Sequence, residues 1–286
     1  MISDVTLGQF FPGVSILHRL DPRTKIILAI LFIVAVFLAN NPIAFLVLLL
    51  STLWFVALSR IALSTVLRGI KPIIAILIFT AIINIFFIKG SGEPLVSFWV
   101  IEIYTEGIVK ALFMALRVTL LIMGTSVLLT YTTSPISLTD GIESLLTPLK
   151  KIGVPVHVFA MMMSIALRFI PTLVEETEKI MNAQKSRGAD FESGGLIKRA
   201  KALIPILIPL FVSAFTRAEE LATAMECRCY RGDKNRTKLI KLQYKKNDFI
   251  LMGAVLLLLG AIIALRIVPG LFEVDSVLYG IIFYTV

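Results

Sequence analysis

Two short stretches carry residue types that can do chemistry, Ser186-Arg187-Gly188 and Cys227-Arg228-Cys229. In each, an arginine stands between small residues, with an alanine four positions before it (Ala183, Ala224). A cation in the last turn of a helix is favoured by the helix dipole, and glycine is a natural left-handed terminator, so both stretches read as capped helix ends. The same pattern also suits a knob on another protein's groove, the planar guanidinium making forked bonds to a carboxylate or to helix-terminal carbonyls. Two similar knobs point to two similar sockets. Cys227 and Cys229 form a single Cys-x-Cys with no histidine nearby, and the chain's two histidines, His18 and His157, are far apart, so no metal site is expected. The sequence has no Gly-x-x-x-x-Gly-Lys-Ser/Thr, no His-Glu-x-x-His and no Gly-x-Ser-x-Gly, so neither a phosphate-cradling loop nor a hydrolytic centre is expected. Lys110 and Arg117 lie in an apolar stretch: the first is near enough to its outer end to snorkel, and the second is expected to pair within a helix bundle rather than line a substrate path.

The elements that position the arginines are long helices. Apolar residues at Phe159, Met162, Ile165, Phe169, Leu173 and Ile180 recur at helical spacing and predict a helix over about 156–186, stopped by Arg187-Gly188. A second long helix is expected from about Leu196 to Cys227-Arg228, through Pro205 and Pro209. Before them, Pro135–Lys151 reads as a short amphipathic helix ended by Gly153-Val154-Pro155. Ala214, Ala218 and Ala222 make an i, i+4 stripe where another helix can cross closely, or are ordinary helix-favouring alanines. Met161, Met162 and Met163 suit either an adaptable contact surface or core filling.

Composition places the whole in a membrane. Of 286 residues, 57% are hydrophobic and 16% charged, and the mean hydropathy is +0.91; a soluble domain carries roughly 25% charge. No charge occurs from Ile26 through Ser59, and Asn40-Asn41-Pro42 divides that stretch into two spans. Asp21-Pro22 and Asn41-Pro42 are each expected to open a helix as N-cap and first residue. A third span is expected from Lys71-Pro72 to near Ile88, a fourth over about 107–131 and a fifth over about 249–268. Met1–Gln9 shows no cleavable leader pattern, so the first apolar run is expected to be retained, and the apolar tail Leu271–Val286 is too short for a span. Arg19, Arg23 and Lys25 precede the first span, and Arg60, Arg68 and Lys71 lie between the second and third. The Lys89–Glu106 loop has one Lys against Glu93, Glu102 and Glu106. This bias predicts a cytoplasmic N-terminus. Residues 132–247 hold 18 Lys/Arg against 11 Asp/Glu, hence +7 of the chain's net +9. That segment lacks the aromatic interleaving or zinc-finger spacing of a nucleic-acid binder, and no nucleic-acid partner is expected. Its apolar runs at 156–174 and 202–215 are short, contain proline and pass straight into charged halves, which predicts helices along the membrane face rather than further spans.

The N-terminal string Gly8-x-Phe10-x-Pro12-Gly13-x-Ser15-x-Leu17-His18-x-Leu20-Asp21-Pro22-Arg23-x-Lys25 closely resembles the signature of the transmembrane T component of energy-coupling factor (ECF) transporters. The arginine triplets, about forty residues apart, resemble that family's two X-Arg-X motifs. One departure is Cys229, where glycine is common in the family, so termination there is expected to differ from that at Gly188.

The resemblance implies a non-catalytic subunit with no cofactor, joining two cytoplasmic ABC-type ATPase subunits to a membrane-embedded, substrate-binding S component in an ATP-driven importer of vitamins or other micronutrients. By motif, Ser186, Arg187, Gly188, Cys227, Arg228 and Cys229 become ATPase-docking residues, and Met161, Met162, Ala214, Ala218 and Ala222 candidate helix-crossing or S-component contacts. His18, Asp21, Pro22 and Arg23 read mainly as an N-cap with interfacial anchors, with bracing of the coupling helices as the functional alternative. The expectation is an all-α polytopic protein of a prokaryotic cell membrane, with about five transmembrane helices and three coupling helices on the cytoplasmic face. Residues 1–131 hold spans one to four, 132–247 the coupling helices, and 248–286 the last span and tail. A self-sufficient secondary transporter is the rival reading, weakened by the lack of apparent inverted repeats and of acidic residues in mid-span.

Overall fold

A computed structural model describes residues 10–87, 96–98, 101–191, 193, 195–230, 232 and 242–267. The leader reading of Met1–Gln9, the signature's Gly8 and the tail Leu271–Val286 lie outside them. The described residues group into two units, one of 10–134 with 242–267 and the other of 135–232.

In the first unit, α1 (Pro22–Leu38) starts as its sequence dictates: the Asp21 carboxylate accepts the Arg23 N–H at 2.9 Å and Pro22 fills the first position, where no N–H is needed. The opening of α2 (Pro42–Ser59) differs. Asn41 makes no cap with its side chain and instead donates from Nδ2 to the Leu265 carbonyl at 2.8 Å. After Arg60, in the left-handed conformation at φ 56°, the chain continues as α3 (Leu63–Ile70), one 3₁₀ turn (Lys71–Ile73) and α4 (Ile74–Phe87). The third apolar helix therefore begins at Leu63, not at Lys71-Pro72. Pro72 lacks an N–H and its ring crowds the preceding turn, and the local tightening to 3₁₀ absorbs both without a break.

Short strands β1 (Val96–Phe98) and β2 (Ile101–Ile103) pair antiparallel, Val96 opposite Ile103, in a stretch the sequence reads as loop. Then come α5 (Thr105–Thr125) and a π-helical turn over Ser126–Thr130.

The core of this unit is built around α1. Leu28, Phe32, Ala35 and Val36 are fully buried, packed with Leu48 and Phe55 of α2, Leu120 and Met123 of α5, and Tyr131. Phe32 meets Phe55 edge-on at 5.9 Å. Gly124 lets α5 come close: a Cβ there would run into the Phe32 ring. No residue of α4 is buried, and Phe79, Phe86 and Phe87 stand exposed, as lipid-facing side chains do.

The second unit is α6 (Pro135–Leu146), a 3₁₀ stretch (Thr147–Ile152), and the long helices α7 (Val156–Ser186) and α8 (Leu196–Cys227). Gly153, at φ 88°, turns the chain between the 3₁₀ stretch and α7. Pro171, Pro205 and Pro209 sit inside α7 and α8 without ending them. The chain then returns to the first unit for α9 (Lys246–Ile267), whose Leu251, Val255 and Ile262 join the core.

Apart from the hairpin, the described elements are helical. Among the described residues, six helical stretches are long and apolar enough to cross a bilayer: Pro42–Ser59, Leu63–Phe87, Thr105–Thr130, Val156–Ser186, Ile197–Cys227 and Lys246–Ile267. With 17 residues, α1 stands at the short end of the range for a ~30 Å hydrocarbon layer. The chain is an all-α polytopic membrane protein.

Candidate functional site

The two arginine triplets have one backbone geometry. At the end of α7, Arg187 is the C-cap (φ −90°, ψ 10°) and Gly188 turns left-handed at φ 86°. The Gly188 N–H bonds back to Lys185 and the Ala189 N–H to Gln184, each at 3.0 Å. At the end of α8, Arg228 is the C-cap (φ −88°, ψ 12°) and Cys229 is left-handed at φ 55°. The Cys229 N–H bonds back to Glu226 at 2.8 Å and the Tyr230 N–H to Met225 at 3.1 Å. Both are Schellman terminations, with the last carbonyls satisfied by the two residues after the arginine. The expected difference at Cys229 is absent: the two closing bonds hold a non-glycine residue in the left-handed region despite a cost of roughly 1–2 kcal/mol. Ser186, Arg187, Gly188, Cys227, Arg228 and Cys229 are all exposed. Each arginine thus projects from a rigid helix end whose own carbonyls no longer need it.

Within this unit, Arg217 of α8 donates to Glu176 of α7 at 2.9 Å, tying the long helices part-way along. His157 at the start of α7 bonds Glu143 of α6 at 2.9 Å. Ala214 is half-buried, whereas Ala218 and Ala222 are exposed. Met161 is half-buried, and Met162 and Met163 are exposed.

The N-terminal signature forms a second assembly, in the first unit. His18 braces its own loop, with Nδ1 at 2.7 Å from the Ser15 hydroxyl and Nε2 at 2.8 Å from the Phe11 carbonyl. A Cβ on Gly13 would come within 2.9 Å of that ring, which explains the Pro-Gly-x-Ser-x-x-His spacing. Farther on, Asp248 at the start of α9 is almost completely buried. Its carboxylate accepts the Asp21 N–H at 2.9 Å and the Lys245 N–H at 2.6 Å. Arg23 lies 3.5 Å from Asp21, donates to the Leu242 carbonyl at 2.9 Å, and stacks over the Tyr244 ring at 5.0 Å. Lys25, also buried, donates from Nζ to the Thr132 carbonyl at 2.7 Å.

Of the two cations on α5, Lys110 is exposed and Arg117 is half-buried. Arg117 donates to the Ala39 carbonyl at 2.6 Å, at the C-terminal cap of α1, and lies over Phe45 at 5.4 Å. It pairs within the bundle, where a cation also meets the negative end of the α1 dipole.

The family model described as cobalt transport protein, CbiQ, matches residues 13–239. An energy-coupling factor transporter transmembrane protein, EcfT, of Clostridium kluyveri is 51% identical over 267 residues, covering 93% of this chain and 98% of its own. EcfT of Ruminiclostridium cellulolyticum is 53% identical over 268 residues (94% and 99%), and that of Bacillus subtilis 48% over 266 residues (93% and 100%). The chain belongs to the EcfT family. It is therefore a multi-pass transmembrane subunit of an energy-coupling transporter, and the matched region takes in both arginine-tipped helices.

His18, Asp21, Pro22, Arg23 and Lys25 were legible from the string itself. Their partners Asp248, Leu242, Tyr244 and Thr132 were not, because they lie more than 100 residues away in sequence. One signal was present: Lys25 and Asp248, opposite charges just outside the first and last apolar runs, are the kind of pair a bundle end can bury.

Proposed function

We propose that this chain is the coupling subunit of an ATP-driven importer of vitamins or other micronutrients. Its N-terminus and α6–α8 face the cytoplasm, where Arg187 and Arg228 each seat in a groove of one ABC-type ATPase subunit. Nucleotide binding draws the ATPases together, and α7 and α8 carry that movement to a membrane-embedded S component that holds the substrate. Met161, Met162, Ala214, Ala218 and Ala222 offer thioether and small-residue surface for the helix crossings this needs.

The observation that carries this reading is the repeated helix end: two exposed arginines with the same backbone geometry suit a pair of equivalent sockets. The positive balance of 132–247 agrees with acidic groove walls or anionic headgroups beside them. A self-sufficient secondary transporter would need Lys110 or Arg117 on a substrate path; the Arg117 guanidinium is directed at the Ala39 carbonyl instead.

The test is the double variant Arg187→Ala with Arg228→Ala in the reconstituted transporter. A hydrogen bond to a charged group contributes about 1.5–3 kcal/mol, so each loss should weaken ATPase retention about tenfold or more. Uptake should disappear while the protein still inserts. Arg→Lys should rescue only partly, since an ammonium lacks the planar fork. Normal uptake by the double alanine variant would rule this mechanism out.

A further inference from the structure

At the end of α2 the chain turns sharply, and the turn leaves a cavity inside the first unit. The Ser59 hydroxyl accepts the Ile61 N–H at 3.2 Å, Arg60 turns the chain in the left-handed conformation, and α3 follows from Leu63. Against this corner lies the loop that precedes α1. Together they enclose about 420 Å³, lined by Phe11, Val14 and His18 from the loop and by Arg60, Ile61 and Thr65 from the corner, among others.

Both walls are set before anything binds. His18 ties its loop to Ser15 and Phe11 through its two ring nitrogens, and the Phe11 N–H donates to the Tyr131 carbonyl at 3.1 Å. The Ser59 bond holds the corner. A cavity that already has its shape loses little to reorganisation when it is filled.

Its chemistry is two-sided. Val14 is 72% exposed and Phe11 44%, so the mouth offers apolar surface. No Asp or Glu lines it, whereas Arg60 does. Among the described residues, none accepts a hydrogen bond from the Arg60 guanidinium or the Thr65 hydroxyl. The helices set its depth. One apolar stretch ends at Ser59 and the next starts at Leu63, so the corner between them sits where hydrocarbon gives way to headgroups.

We propose that this cavity binds one anionic phospholipid, its phosphate on Arg60 and Thr65 and its glycerol and upper acyl chain against Phe11, Val14 and Ile61. A guanidinium matches phosphate oxygens with a fork of donors. Phosphatidylcholine brings a second cation to the same place, where Arg60 repels it. A soluble phosphate satisfies the guanidinium and leaves the apolar mouth uncovered. The site needs only the bilayer boundary, so it stands apart from the docking of ATPases.

The test is photocrosslinking of the full chain in phosphatidylcholine nanodiscs. The probe is a minor share of phosphatidylglycerol with a photoreactive group near the carbonyl end of one acyl chain. Crosslinked peptides should map to 11–15 and 59–65, and unlabelled phosphatidylglycerol should compete where added phosphatidylcholine does not. Arg60→Gln should lower the yield about fivefold, as expected for one basic residue at an anionic surface. Arg60→Lys should keep most of it. Arg68→Gln, at an exposed cation outside the cavity, should leave it as it was. Thermal unfolding in phosphatidylcholine alone should be the same for Arg60→Gln and the unaltered chain, which separates lost binding from a lost fold. Equal capture of a phosphatidylcholine probe overturns the proposal, as does a yield that ignores Arg60→Gln or falls equally with Arg68→Gln. Displacement of the probe by sn-glycerol 3-phosphate alone also overturns it, because the site would then serve a soluble phosphate.

Discussion

Cys229 occupies a conformation that L-residues avoid, at φ 55°, one residue beyond an exposed arginine. Its counterpart Gly188, at φ 86°, holds the same place without that cost. Cys229→Gly should therefore firm up the α8 end by about 1 kcal/mol or less, since glycine also loses more freedom on folding. Gly188→Ala should loosen the α7 end by a similar amount, with opposite sign. The measurement is amide exchange at Tyr230 and Ala189, whose N–H groups close the two Schellman loops; equal exchange before and after substitution would contradict the strain argument. Residue identity gave the arginine positions and the left-handed turn at Gly188. It pointed the wrong way at Cys229, because two backbone bonds outweigh the preference of one side chain.

Among elements, those with strong punctuation were readable. Residues 156–186 and 196–227 run as expected because an apolar period of about 3.6 is bounded by Pro155 and by Gly188 or Gly195, and the prolines within them are tolerated. Pro72 misled as a helix start, because a proline marks either an end or a tightened turn and only the packing decides which. The Val96–Ile103 hairpin stayed hidden: three-residue strands are too short to show an alternation. The crossing of α1 and α5 has the same character, since nothing near Gly124 in sequence announces Phe32. Gly124→Ala should lower stability by about 1–3 kcal/mol through overpacking. Phe32→Leu on its own should also destabilise, yet the pair should cost less than the sum, because the smaller side chain admits the new methyl group. Thermal unfolding of the four purified forms measures that cycle, and strict additivity would mean the two groups do not meet.

For the whole molecule, topology rests on charge. The Lys/Arg excess lies before α1, between α2 and α4 (Arg60, Arg68, Lys71), and throughout 132–247, so all three belong on one side of the membrane if any does. The chain supplies its own reporter of that side. It has two cysteines, Cys227 and Cys229; both are free and exposed, and they flank Arg228. A membrane-impermeant maleimide added to intact cells should leave them unlabelled, whereas inverted vesicles stripped of ATPases should label them readily. Restoring the ATPase subunits should slow labelling about tenfold or more, in line with a charged contact at Arg228, and the Arg187→Ala/Arg228→Ala variant should lose that protection while keeping its inward orientation. Labelling from outside intact cells would overturn the topology for α8 and with it the docking of Arg228. Labelling from inside that the ATPases never slow would keep the topology and count against the socket, because a groove wall that receives the Arg228 guanidinium crowds the adjoining Cys227 and Cys229.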